Sequence, residues 1–183
     1  MQFLIKDQDP DGSWSYPFDT GIETDCYMII LLRLLEIDDE DFIQMLVNKI
    51  KSKQEQNGAW KLFYDEGDGN LALTIEAYYA LLYSGIEKDA DNMKKAKQFI
   101  LKNGGIEKVN ILTRVMLSLT GQCRWPRFFP IPVEILLIPA WSPIHFFDLS
   151  IPARANITPI LILMDYKYSV KTTQSPDLSD LYT

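Results

Sequence analysis

Residues 54–60 read QEQNGAW, and residues 8–14 read QDPDGSW. Both carry a glutamine, a three-residue gap and a Gly-x-Trp ending. Gln8 and Gln54 lie 46 residues apart, as do Trp14 and Trp60. A period of that length is the mark of stacked helical units, none of which can bury its apolar face alone.

Each residue type in the unit has a physical task. A glutamine at a helix end carries donor and acceptor on one amide, so it can satisfy the open carbonyls of its own helix and reach the first N–H groups of the next. Asp11 or Asn57 followed by Gly12 or Gly58 predicts a tight turn with positive φ. Trp14 and Trp60 then lay a broad apolar surface over the turn, with an indole N–H that needs an acceptor.

Upstream, Phe3-Leu4 precedes Gln8 by the same three-residue gap that separates Ile50 from Gln54, with Lys49 where the aromatic would stand. A worn third copy runs through Lys95-Ala96 and Phe99-Ile100 and reaches Gly104-Gly105 where glutamine is expected. The pattern, over residues 3–14 and 49–60, resembles the QW motif of the squalene–hopene and oxidosqualene cyclases, the class II triterpene cyclases. Phe3, Gln8, Gly12, Trp14, Ile50, Gln54, Gly58 and Trp60 are the residues that carry it.

Colinear matches extend the resemblance from about residue 2 to residue 168. They include Asn70 with Thr74-Ile75-Glu76-Ala77-Tyr78, then Gly104-Gly105-Ile106-Glu107, Thr113-Arg114 and Gly121 with Trp125-Pro126. Pro132, Glu134-Ile135 and Ala153-Arg154-Ala155 follow in order. The resemblance implies an all-α fold, the incomplete α/α barrel that is the smaller domain of these enzymes. It implies that the whole protein protonates and cyclises a linear polyprenyl hydrocarbon. The family's acid, an Asp-x-Asp-Asp string in the other helical domain, has no counterpart here, so no catalytic residue is assigned to this stretch. Asp38-Asp39-Glu40-Asp41 has glutamate at the third place and is explained by capping of a helix start.

One departure bears on substrate. Before Ala153-Arg154-Ala155 the squalene cyclases place Ser-Trp, whose indole lines the cavity, whereas this chain has Ile151-Pro152. Ile151, Pro152 and Arg154 are therefore the family-implied cavity wall, reshaped as for another polyprenyl chain such as a C35 terpene of the sporulenol type. A merely variable loop is the alternative.

Composition narrows the remaining classes. The 183 residues suffice for one domain with a core, and 47% of them are hydrophobic, which excludes disorder. A net charge of −7 lacks the basic footprint of a nucleic-acid binder. Two cysteines without CxxC spacing and one histidine, His145, supply no zinc set, so neither metal nor cofactor is expected. A reduced cytosolic setting follows, with no signal peptide and the first helix cut short at Met1. Asp65, Asp68 and Asn70 resemble a calcium loop but lack its spacing and final glutamate.

Helical periodicity predicts an inner, nearly all-apolar helix over 23–36 and an amphipathic outer helix from Asp38 to about residue 53. A second inner helix follows over 70–83 and a second outer one over 93–102. A further helix is predicted from Gly105 to Gly121. Residues 125–152 are rich in proline and aromatics, with helical turns over 133–137 and a last helix over 153–164. No apolar run nears the ~20 residues of a membrane span. Arg154 is expected to pair with an acid such as Asp148, and His145 to be packed. Residues 1–168 are assigned to the barrel and 169–183 to a polar tail or linker.

Phe128, Phe129 and Trp141 are expected on an exposed apolar patch. It would face the missing catalytic domain of the same chain or, as in monotopic relatives, one leaflet of the membrane; left bare, it would drive association. A different class of reading is a stand-alone α/α scaffold binding a prenyl lipid or protein. Prenyltransferase β-subunits share that architecture but need an Asp/Cys/His zinc set absent here.

Overall fold

The computed structural model describes residues 5–14, 21–126 and 131–183. Phe3, Phe128 and Phe129 lie outside them. Among the described residues the fold is carried by α1 (Glu23–Leu34), α2 (Glu40–Ser52), α3 (Leu71–Tyr83), α4 (Asp91–Lys102), α5 (Ile111–Leu119) and α6 (Ile151–Asp165). Among the described residues there is no strand. The chain is all-α, with inner helices α1 and α3 side by side and outer helices α2 and α4 behind them.

Residue chemistry explains that layering. In α2, Ile43, Leu46, Val47 and Ile50 fall on one buried stripe, and the opposite face is polar. Asp39 caps it by accepting from the Phe42 N–H at 3.1 Å, as its place before an acidic first turn predicts. α4 repeats the design with Met93, Ala96, Phe99 and Ile100. α3 has neighbours all round: every residue from 73 to 81 is buried, and Asn70 caps it through the Leu73 N–H at 3.0 Å.

α1 differs from its expected burial. Cys26, Ile29, Ile30 and Arg33 are buried, but Leu31 stays 48% exposed because no described element covers that side. Arg33, itself only 8% exposed, donates through both terminal nitrogens to the Glu40 carboxylate at 2.5 and 2.9 Å. This two-pronged bond fixes the end of α1 to the start of α2.

Three expectations are corrected. The helix predicted from Gly105 to Gly121 is broken: a 3-10 turn spans Ile106–Lys108, Val109 is extended, and α5 starts afresh at Ile111. Asn110 causes the break, because its side chain accepts from the Thr113 N–H at 2.9 Å and so favours a cap over a helix interior. The last helix begins two residues before Ala153, at Ile151, with Pro152 in the first turn where no N–H is missed.

The third correction is to 169–183, which is no free polar tail. Leu178 and Leu181 are fully buried, and a 3-10 turn over Ser179–Leu181 lies against α4. Asp180 accepts from Lys88 at 2.9 Å and Lys97 at 2.6 Å, and Tyr83 Oη lies 2.6 Å from Ser175 Oγ. Gly105 has φ +64°, and a Cβ there would strike the Leu181 carbonyl, so the strap is seated on backbone.

Candidate functional site

The corner at residues 54–60 joins one outer helix to the next. Gln54 Nε2 donates to the Gly58 carbonyl at 3.0 Å and to the Asn92 carbonyl at 2.9 Å, in the first turn of α4. The amide thus bridges onward by donating to a carbonyl, not by reaching N–H groups. Gly58 has φ +89°, and a Cβ there would collide with the backbone of Lys95 and Ala96. Trp60 is fully buried, its indole N–H donating to the Ile50 carbonyl at 2.7 Å.

Residues 8–14 form the same turn. Gln8 Nε2 donates to the Gly12 carbonyl at 2.7 Å, and Ser13 N donates to Asp11 Oδ1 at 2.9 Å, as Ala59 N does to Asn57 Oδ1 at 3.0 Å. Asp9 N to Ser13 O and Gly12 N to Asp9 O repeat Glu55 N to Ala59 O and Gly58 N to Glu55 O. Gly12 has φ +87°. Residues 5–14 are all exposed, with Trp14 at 47%.

Between the inner helices lies a buried carboxyl that motif reading passed over. Glu76 of α3 is 3% exposed. Its Oε1 accepts from Tyr27 Oη of α1 at 2.8 Å and from Thr113 Oγ1 of α5 at 2.7 Å. Burial pushes its pKa up to about 7, against the lowering effect of the two hydroxyl donors. The same burial, with the neighbouring carboxyl, holds the Tyr27 phenol well above its usual range. A cavity of about 70 Å³ beside it is lined by Glu23, Asn70, Glu76 and Asn110 among others. The available signal was one acid in the otherwise uncharged run 71–83.

Such a carboxyl is a weakened acid. Proton delivery to an alkene needs the opposite, an acid whose conjugate base is strongly stabilised. The acidic string at 38–41 is also engaged: Asp39 caps α2, and Glu40 is held below the usual carboxylate range by Arg33. Asp65, Asp68 and Asn70 serve a structural loop, with Asn70 Nδ2 donating to Glu66 Oε1 and the Asp68 carbonyl accepting from Asn57. Among the described residues no group of three or more His, Cys, Asp or Glu could hold a metal.

The expected cavity-wall residues meet at the start of α6. Ile151 is 73% exposed and Pro152 is exposed, while Arg154 is half-buried. Arg154 does not take up Asp148 as expected. Its guanidinium lies 5.4 Å from the Phe147 ring centroid, and Asp148 binds His145 instead, at 2.9 Å from the backbone N–H and 3.5 Å from Nδ1. A charge over an aromatic face replaces the ion pair. Leu137, Trp141, Ile144 and Phe147 are also exposed, Trp141 at 85%. A separate surface cleft of about 520 Å³, lined by Ser118, Cys123, Arg124, Trp125 and Lys167 among others, includes none of the three expected wall residues. No helix among the described residues is long and apolar enough to cross a membrane.

The profile of the squalene-hopene cyclase N-terminal domain matches residues 1–183. The chain belongs to that family. It is 31% identical over 180 residues to the squalene-hopene cyclase of Schizosaccharomyces japonicus, covering 98% of this chain and 27% of that one. It is 33% identical over 164 residues to the sporulenol synthase of Bacillus subtilis, covering 88% and 26%. Against the squalene–hopene cyclase of Zymomonas mobilis it is 33% identical over 165 residues, covering 90% and 25%. The chain therefore spans about a quarter of the length of these relatives. As a squalene-hopene cyclase N-terminal domain, it has the all-helical α/α architecture, and its inner helices put Glu76 at the centre of the described fold.

Proposed function

We propose that residues 1–183 are the N-terminal, non-catalytic part of a terpene cyclase that protonates a linear polyprenyl hydrocarbon and closes it into rings. Squalene and a C35 analogue are the two substrates to compare. The observation that carries the reading is the full-length match to the N-terminal domain family, with relatives about four times as long. The chemistry here agrees, since the most deeply buried acid among the described residues, Glu76, is weakened rather than strengthened.

In this reading the part walls one side of the cavity. Ile151 and Pro152, beside Arg154, take the place where squalene cyclases carry Ser-Trp, and the missing indole leaves room for a differently folded substrate. The exposed Leu137, Trp141, Ile144, Phe147 and Ile151 face the catalytic part of the same chain, with seating on one membrane leaflet as the competing use of that surface. The protein works in the cytoplasm, at most peripherally on the inner face of the membrane.

Incubation with squalene and with a C35 polyprene, followed by mass spectrometry of extracts, tests the reading. The 183-residue chain is expected to return both substrates unchanged. The longer polypeptide encoded in the same frame is expected to form a cyclised product from one of them. Cyclisation by the short chain alone would overturn the reading.

A further inference from the structure

Acids outnumber lysines and arginines in this chain by 25 to 18, and Arg33, Lys49, Lys88 and Lys97 each hold a carboxylate at 2.5–2.9 Å. Three other cations hold none among the described residues, and they gather where the ends of α5 and α6 meet. Arg124 and Lys167 line the cleft of about 520 Å³ there, with no Asp or Glu among its described walls. The stem of Lys171 lies over Gly121, a third part of the wall, with its Cε 2.7 Å from where a Cβ would stand.

The cleft is braced rather than loose. Val170 N donates to the Leu119 carbonyl at 2.7 Å, and the Trp125 indole N–H donates to the Tyr168 carbonyl at 2.9 Å. These two bonds tie the exit of α5 to the exit of α6. Both chains leave through left-handed backbone, at Gly121 with φ +69° and at Lys167 with φ +49°. Lys167 adopts it without being glycine, which aims a cation into the cleft at the expense of local strain.

Helix C-terminal ends favour cations, but here the last carbonyls already have donors. Gln122 N closes Leu117, Val170 N closes Leu119 and Tyr168 N closes Leu163. The guanidinium and ammonium hydrogens are left for a ligand. A phosphate monoester carries about −1.5 to −2 charges at neutral pH, which suits two or three converging cations better than a single carboxylate does. Arginine supplies a planar fork for its oxygens and lysine a point charge.

We propose that this cleft binds the phosphate or diphosphate head of an apolar-chain ligand. Arg124 and Lys167 hold the head, and Trp125 and Pro126 flank the first carbons of the chain. With its N–H spent on Tyr168, the indole offers the ligand apolar surface. The volume falls within the roughly 300–1,000 Å³ of small-ligand sites and exceeds what a bare phosphate fills. The site lies within residues 118–169 and does not depend on the cyclase reading.

Calorimetry tests the proposal. Inorganic diphosphate is titrated at low ionic strength into residues 1–183 and into the longer in-frame polypeptide. Saturable binding to one site is expected in both. Arg124→Gln combined with Lys167→Gln should weaken it at least tenfold with the helical circular dichroism unchanged, since both residues are exposed. Lys51→Gln, an exposed cation on α2, should leave it unaltered. Absence of binding, or equal weakening by Lys51→Gln, overturns the proposal. Binding by the 183-residue chain alone also overturns it, because the cleft is then covered in the longer protein. Two further probes divide the sources of the head group. Geranyl diphosphate binding at least threefold tighter than the inorganic ion, with the gain lost in Trp125→Ala, assigns a soluble amphiphile. Sedimentation with vesicles of phosphatidic acid in phosphatidylcholine, lost in the Arg124 and Lys167 variant, assigns a lipid head group. Failure of both overturns the apolar-chain ligand.

Discussion

The indole N–H of Trp60 donates to the Ile50 carbonyl at 2.7 Å, ten residues back in the chain. The corner is thereby tied to the last turn of the helix it has just left, giving the Ile50 carbonyl a second donor beside the Lys53 N–H at 3.2 Å. Trp60→Phe keeps much of the apolar cover but removes one of the two donors to that carbonyl. A loss of about 0.5–1.5 kcal/mol is expected in urea unfolding. Trp14→Phe, at a half-exposed site, should change stability by less than half as much.

Glycine replacement separates the two corners more sharply. Gly12→Ala meets only the cost of a left-handed backbone, about 1–2 kcal/mol. Gly58→Ala meets that and a collision with the backbone of Lys95 and Ala96, which must move α4 off its seat. Thermal unfolding of the two variants should show Gly58→Ala as clearly the worse, and equal losses would mean the second corner is not seated as described.

Glu76 makes stability depend on pH in a defined window. Its folded pKa, about 7, lies above the ordinary 4.5, so between those values the folded chain holds a proton that the unfolded chain releases. Its destabilising contribution is absent below pH 4.5, grows as pH rises, and is complete above 7. The full effect is on the order of 3 kcal/mol. Glu76→Gln, which keeps a group able to accept from Tyr27 and Thr113, should flatten the fall in urea midpoint between pH 5 and 8. The lowered carboxyl of Asp180 acts at more acidic pH and does not confuse the measurement.

The strap over residues 169–183 should behave as core. Leu181→Ala removes a fully buried side chain and is expected to lower stability by about 2–5 kcal/mol. Deletion after residue 168 would also strip the cover from α4 and α5. Circular dichroism should then show helix retained with the cooperative unfolding transition broadened or lost.

Much of the scaffold was legible in residue order. The 46-residue spacing located both corners, and the stripes at Ile43-Leu46-Val47-Ile50 and Met93-Ala96-Phe99-Ile100 marked the outer helices. The acids at 38–41 announced their helix by capping chemistry. What escaped has common physical causes. Asn110 ends a run of helical periodicity through a side-chain bond that periodicity does not see. Leu178 and Leu181 are isolated leucines among polar residues, and their burial comes from partners some eighty residues away. Glu76 needed α1 and α5 in place before its isolation could be recognised. Arg154 was drawn to the nearest acid by charge alone, whereas Asp148 is already bound to His145.

Lys88 and Asp180, bonded across 92 residues, set the order in which a growing chain can finish folding. While the ribosome is still adding the residues between them, α4 is complete in sequence but open along the side that Leu178 and Leu181 later close. The nascent helices must therefore wait with that apolar flank uncovered until the last residues arrive. A faster-folding descendant would be one that brought those two leucines nearer in the gene.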